Sequence, residues 1–485
     1  MTRRTKLLLA ASGAILLVAG SVAGVALLKA RHTRSGGADA KPPIALQAGD
    51  AAPELSIYAD VYAPEAVWKA SLRSEWTKRA LAEPLGKGFG GDWGAFLGTR
   101  GTDLSGAFEG TVADLVASRL LANPFRVVLY GGPGATGSPA VIVPDPSSSA
   151  RGAFELMEGA TRSGRFEAAR CPGADKDLAE KIVVSRWLVA DHAVFAAQRD
   201  GQLYLAKNPI PVVQAICLPP PAVERGDGVD LAVSIAREGL GREAQLGFAL
   251  LGLGPAPRLL FGVEGERLVP RGLGGELEDP QRLAAAAPSD KLLKLLPGDA
   301  GLVVLATLDL PEPLDRASLK AHLARKYSGK RAPRTVALVW NPRGADALDT
   351  EVALAWPERD AAALQDAFTG GGNVLATTRA CGHVVLASTP ALAATLQRSC
   401  NGKAPSMLDA APAVAEGLRQ PVSLGLGVNP GRALSRLLGD AWTSERGKKV
   451  APEIEAARRL LEELPYVGLR GVAKDRQLVP GGFRS

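Results

Sequence analysis

Asp60 to Arg73 reads DVYAPEAVWKASLR, and Asp309 to Lys320 reads DLPEPLDRASLK. Each string begins at the end of an alternating strand and carries a Pro-Glu pair that opens a helix. Three more blocks answer one another in the same order. Arg170-Cys171-Pro172-Gly173 is matched by Arg379-Ala380-Cys381-Gly382. Gly201 to Ala206, closing at Cys217, is matched by Gly382 to Ala387, closing at Cys400. GVEGERLVPRG (Gly262 to Gly272) is matched by GVAKDRQLVPGG (Gly471 to Gly482). Four ordered matches indicate two copies of one module.

The elements within each copy follow from periodicity. In the first, Leu55 to Val61 alternates as a strand, and Pro64 starts a helix reaching about Leu81, with Val67, Leu72 and Trp76 on its buried face. Strands at Phe125 to Tyr130 and Pro139 to Val143 follow. Then come a helix carrying Phe154, Leu156 and Met157 and a strand at Arg165 to Ala169. The second copy repeats this with a strand at Leu302 to Leu308, a helix at Leu314 to Tyr327, and strands at Arg334 to Trp340 and Glu351 to Trp356. A helix starting at Pro357-Glu358 and reaching about Phe368 and a strand at Val374 to Thr378 complete it. Ser388-Thr389 caps a further helix, Pro390 to Ser399. The order predicts an α+β fold of two tandem homologous modules. Each is a ferredoxin-like (split βαβ), antiparallel-rich sheet with added strands and a helix, and an N-terminal transmembrane helix precedes them.

The predicted divisions are a basic-flanked anchor or signal segment at 1–34 and a flexible stalk at 35–52. The first module spans 53–273 with an insert at 83–123, a linker spans 274–297, and the second module spans 298–482. A helix rich in Glu, Arg and Leu at about Ala451 to Leu464 packs on the second module. With aromatics at 5%, the cores are expected to be mostly Leu, Val and Ala.

Charge is unevenly placed. Residues 1–34 carry six Lys or Arg and no acid, while the rest holds 51 bases against 50 acids. The folded part is therefore near neutral, and no aromatic-basic interleaving points to nucleic acid. Leu7 to Leu28 is 22 residues without a charge. At 1.5 Å per residue it reaches roughly 33 Å, enough to cross a bilayer. Its length and the basic cluster after it favour an uncleaved inner-membrane anchor with the bulk of the chain periplasmic or extracellular. A signal peptide cut after Ala23, which would release a secreted protein, is the alternative.

The four cysteines predict the pairs Cys171–Cys217 and Cys381–Cys400, one in each copy, and hence an oxidising compartment. A four-cysteine zinc site and buried free thiols are the rival readings; no C-x-x-C spacing supports the first. Gly132 to Gly137 spells G-x-G-x-x-G, but a strand follows it where a dinucleotide site needs a helix, so it reads as a hairpin turn. The histidines His32, His192, His322 and His383 show no metal spacing and read as structural. Asp60 and Asp309 read as matched acids that cap or orient the following loop, and Arg267 and Arg476 as matched structural ion-pair formers. The glycine-rich insert offers a candidate interaction loop, Gly90, Gly91, Trp93 and Phe96.

The anchor, the duplication and the strand-then-Pro-helix strings, over about Pro53 to Gly482, resemble those of bacterial extracytoplasmic proteins that contain a domain of unknown function. No site residue follows from that resemblance. The expected role is non-catalytic binding or scaffolding at the cell envelope, with a membrane contact through the anchor and an envelope protein as partner. The alternatives are carriage of an apolar ligand or lipid in a cleft, and an envelope hydrolase with a scattered triad. No cofactor and no metal is expected.

Overall fold

The computed structural model describes residues 54–72, 122–131, 139–160, 166–168, 171, 182–189, 192–206, 208–238, 245, 251–342, 350–360, 376–429 and 466–481. The expected anchor, the stalk, the core of the insert with its Gly90-Gly91-Trp93-Phe96 loop, the Gly132 to Gly137 turn and the 451–464 helix lie outside them. No helix among the described residues is long and apolar enough to cross a membrane. The fold is α+β, mostly antiparallel sheet with a few short helices, and the chain divides into two compact units.

In the first unit the alternation of Glu54–Val61 makes strand β1, followed by helix α1 at Pro64–Leu72. Next come β2 (Phe125–Gly131), β3 (Ala140–Val143), α2 (Ser148–Ala160), β4 (Phe166–Ala168) and β5 (Ile182–Val189). They are followed by β6 (His192–Arg199), β7 (Gln202–Ala206), α3 (Pro209–Cys217), β8 (Leu231–Ile235) and β9 (Arg258–Glu264). Pairing gives the order β4-β5-β6-β7-β3-β2-β1-β8-β9, with every neighbour antiparallel. The apolar rows of this sheet meet α3, whose Val212, Val213 and Ala215 pack with Tyr58, Val128, Tyr130 and Ile142. Phe154 of α2 is fully buried, whereas Leu156 faces outward.

Strand β10 (Arg267–Glu276) carries the chain across the boundary at Val269 and Pro270 into the second unit. There the elements are α4 (Asp290–Leu295), β11 (Leu302–Pro311), α5 (Arg316–Leu323), β12 (Arg331–Pro342), β13 (Thr350–Pro357), β14 (Ala376–Ala380) and β15 (His383–Ala387). The last are α6 (Pro390–Cys400), α7 (Met407–Ala410), α8 (Pro412–Leu418), β16 (Leu424–Val428), β17 (Val467–Lys474) and β18 (Gln477–Pro480). Their order is β14-β15-β13-β12-β11-β16-β17-β18-β10, again antiparallel throughout. Helix α6 begins as its sequence dictates: Thr389 accepts from the Leu392 amide at 3.2 Å, and Pro390 occupies the first turn. Leu392, Ala393 and Leu396 then face the core, packed with Leu293, Leu296, Val303, Leu305, Val385, Met407 and Leu418.

Three expectations are corrected. A split βαβ unit sets a third strand between the two that flank its first helix, but β1 pairs directly with β2, and β11 with β12. Each sheet is instead organised around a first strand with antiparallel partners on both sides. The stretch expected as a linker, 274–297, is built into the second unit, because its Leu292, Leu293, Leu295 and Leu296 are buried in that core. The cores are mostly Leu, Val and Ala as expected, with Tyr58, Tyr130 and Tyr204 added in the first. The described part of the helix expected after Pro357 is a single 3-10 turn, Glu358–Asp360.

Both cysteine pairs are closed as disulfides, with Cα separations of 5.4 Å for Cys171–Cys217 and 5.8 Å for Cys381–Cys400, and no free cysteine remains. Each joins the last residue of a helix, α3 or α6, to its own unit. Replacing Cys381 and Cys400 together by serine is expected to lower the stability of the second unit by about 3 kcal/mol. Urea denaturation followed by hydrogen exchange in β15 and α6 reads that loss, and peptides of the first unit should be unaffected.

Candidate functional site

Alternation along β1 puts Tyr58 and Asp60 on the face that α3 covers. Asp60 is 2% exposed. A carboxylate there needs a compensating cation, and the strand register supplies one: Arg126 of β2 lies directly opposite. Its Nε donates to Asp60 Oδ1. Arg258 of β9 approaches Asp60 Oδ2 at 4.0 Å and donates to the Tyr62 hydroxyl at 2.7 Å. Arg126 also reaches the Pro220 carbonyl at 3.4 Å, and the Tyr130 hydroxyl donates to the Leu218 carbonyl at 2.7 Å. The chain leaving α3 is thereby tied to β2.

This is the most polar buried place described in the first unit. Among the described residues Asp60 Oδ2 and Arg258 Nε find no hydrogen-bond partner, and the Tyr58 and Ser234 hydroxyls have only each other. Burial pushes the Asp60 carboxyl above the usual range, against the pull of Arg126 and Arg258. Burial likewise raises the Tyr58, Tyr62 and Tyr130 phenols, so all three stay neutral. Beyond Tyr62, Arg225 stacks over its ring at 5.9 Å and pairs with Asp230 at 2.7 Å. An open cleft of about 690 Å³ adjoins Tyr62, rimmed by Pro64, Glu65, Lys69, Pro124 and Glu266. Its lining mixes three charged side chains with Ala63, Ala66, Ala122 and the two prolines.

The second unit gathers its charge around the end of α5. Asp279 Oδ2 accepts from Arg282 Nε at 2.9 Å and Arg325 Nε at 3.0 Å. Burial raises the Asp279 carboxyl, but the two arginines outweigh it and hold the group below the usual carboxylate range. Arg331 approaches Asp309 at 3.8 Å. Deeper in, Arg334 and Asp360 form a buried pair at 2.8 Å.

The residues singled out from sequence are partly brought together. The four cysteines form the expected pairs, which disposes of the zinc and free-thiol readings. Asp60 is not a loop cap but half of a buried cross-strand pair, and Asp309 lies in β11 near Arg331. The acid that caps α5 is Asp315, through a capping box with Ser318. Arg267 and Arg476 are exposed at two tight hairpins. His383 is buried and its Nδ1 donates to the Cys381 carbonyl at 2.8 Å. His322 is buried at the end of α5. The side chain of His192 lies outside the described set. Arg126 and Arg258 were missed, although each interrupts an apolar strand with a cation. No group of three or more potential metal ligands occurs among the described residues. No protein-family model, curated protein or solved structure matches the chain.

Two outcomes follow. Arg126→Met leaves Asp60 short of its main counter-charge and is expected to destabilise the first unit by about 3–5 kcal/mol. Joint replacement, Asp60→Leu with Arg126→Met, should recover most of this, and urea denaturation of the three proteins checks it. The second outcome concerns pH. Burial depresses the imidazoles of His322 and His383 below their ordinary value. The folded unit therefore resists protonation while the unfolded chain accepts it. Their contribution is complete above about pH 6.5 and is lost as the pH falls from there through the depressed values. Unfolding midpoints of the second unit should drop between pH 7 and 5, and His322→Gln with His383→Gln should flatten the slope.

Proposed function

We propose that this chain is an exported, membrane-anchored protein of the cell envelope whose two homologous modules form a non-catalytic binding or scaffolding device. The observation that carries the reading is the closure of all four cysteines into two disulfides, each within one unit. Bonds of this kind persist in oxidising compartments. The uncharged stretch Leu7 to Leu28 supplies the expected anchor. The duplication is supported by the common strand order. β6-β7-β3-β2-β1-β8-β9 in the first unit corresponds position by position to β14-β15-β13-β12-β11-β16-β17 in the second.

Binding is favoured over the alternatives by what the polar groups are doing. The thiols are spent in disulfides, and the His383 ring is held by a backbone carbonyl. The described cleft at Tyr62 is open to solvent and carries Glu65, Lys69 and Glu266 among its alanines and prolines, which suits a surface contact better than enclosure of an apolar cargo. A dual-compartment reporter fused after Ser485 should be active outside the cytoplasm. Thiol labelling before and after reduction should find all four cysteines blocked in the native protein. A cytoplasmic reporter signal, or cysteines that label without reduction, would remove the basis for export. Crosslinking in cells should then capture a discrete envelope partner.

A further inference from the structure

Arg316 to Arg334, RASLKAHLARKYSGKRAPR, holds seven Lys or Arg and no Asp or Glu in 19 residues of the second unit. Its charge is not matched by the rest of the chain. Outside this segment, residues 35–485 hold 44 bases against 50 acids. The segment forms α5, a tight turn and the start of β12. Arg331 and Arg334 turn inward, to Asp309 and Asp360. Lys320, Arg325, Lys326 and Lys330 stay exposed.

These four are displayed on fixed backbone. Arg325 N donates to the His322 carbonyl at 2.9 Å and Lys326 N to the Ala321 carbonyl at 2.8 Å, which closes the end of α5. Arg325 itself takes a left-handed φ of 58°. The Tyr327 hydroxyl donates to the Lys330 carbonyl at 3.0 Å and pins the turn. Two of the cations are lightly held. Arg325 pairs with Asp279 while 66% exposed, and Lys330 pairs with Glu312 at 3.2 Å while 80% exposed. The Lys330 pair, exposed on both sides, contributes little and exchanges readily for another carboxylate, while Arg325 shares the partly buried Asp279 with Arg282 and leaves most of its own surface free. Lys320 and Lys326 have no carboxylate within ion-pair distance among the described residues.

We infer that the α5–β12 turn is a docking surface for an acidic polypeptide segment, with Lys320, Arg325, Lys326 and Lys330 as its cations. This names the partner class for the binding role proposed above and rests on that reading. A rigid cluster of four exposed cations, in a chain whose other residues from 35 on hold 44 bases against 50 acids, steers an oppositely charged partner and fixes where it lands. The cations already accept carboxylates from Asp279 and Glu312, so a partner's Asp or Glu side chains would replace them in kind. A lipid surface is the poorer fit. Interfacial membrane binding buries apolar side chains, and among the described side chains the exposed large apolar residues, Leu156, Val183 and Leu338, lie outside the segment.

The test uses the full chain in phosphatidylcholine nanodiscs, with fluorescein-labelled poly-glutamate as probe and anisotropy as readout. Binding is expected, weakening as salt is raised. Lys320→Gln, Lys326→Gln and Lys330→Gln together should reduce affinity roughly tenfold and flatten the salt dependence. An equal charge loss elsewhere, at Arg151, Arg267 and Lys474, should leave affinity unchanged. Absence of binding, or equal loss from both triple variants, would overturn the inference. So would protection of the three lysines from acetylation by phosphatidylglycerol nanodiscs in a chain that ignores poly-glutamate, since the surface would then belong to lipid. A cytoplasmic reporter result would refute export while leaving poly-glutamate affinity standing, so the two failures are distinguishable.

Discussion

Each unit is aligned through an early strand, which has an antiparallel partner on each side. β1 lies between β2 and β8, and β11 between β12 and β16. Because side chains alternate along a strand, a slip of one residue in either pairing would turn its buried row outward. In β1 that row contains Tyr58 and Asp60, so register and electrostatics are not independent. The register that buries Tyr58 under α3 also buries Asp60, and the same register sets Arg126 across from it. The Asp60–Arg126 pair is thus a consequence of the sheet's alignment. It also penalises the shifted alternatives, which would leave one charge buried alone.

The disulfides act on this frame from its rim. Both fasten the last residue of a helix that lies on the sheet, Cys217 of α3 and Cys400 of α6. Their other ends are not equivalent. Cys381 sits in the turn between β14 and β15 with a φ of 51°, followed by Gly382 at 71°. The corresponding turn between β6 and β7 is Asp200, also at 51°, followed by Gly201 at 77°. Cys171 instead follows β4. The symmetry argument from sequence therefore identified the right partners, although it holds for only one cysteine of each pair.

Much of the fold was legible because alternation and proline-led helices are local signals. The limits of β1, β2, β12, β13 and α6 fall within a few residues of their expected places. Neighbour relations were less legible. The β-α-β-β-α-β order suggested a crossover between β1 and β2, but the entropy of closing the more than sixty residues between them grows only slowly with length. Direct antiparallel pairing therefore survived the insert. The segment containing α4 read as a linker because it is short and punctuated by Pro and Gly, though four of its leucines are fully buried. At the candidate site, Asp60 was visible as an acid in a strand. Its role was not, since that needed the register that sets Arg126 opposite and the fold that brings Arg258 near.

The two frames invest polar groups differently. In the first unit a carboxylate, two guanidinium groups and tyrosine hydroxyls share the covered face of the sheet. The second fills the same layer with Leu, Val and Ala, and concentrates charge around α5 and the strands beside it. A buried, incompletely satisfied polar cluster weakens its own unit, because each unpaired group loses water without full compensation. The second unit's core cluster is apolar, and the charge buried beside it, Arg334 with Asp360, is paired, so it carries less of this penalty. On the proposed duplication, the second copy is therefore the one whose exterior can change charge at least cost to its fold. That is where the acid-free run from Arg316 to Arg334 is found, in an element whose counterpart, α1, carries Glu65 and Lys69 as a neutral pair.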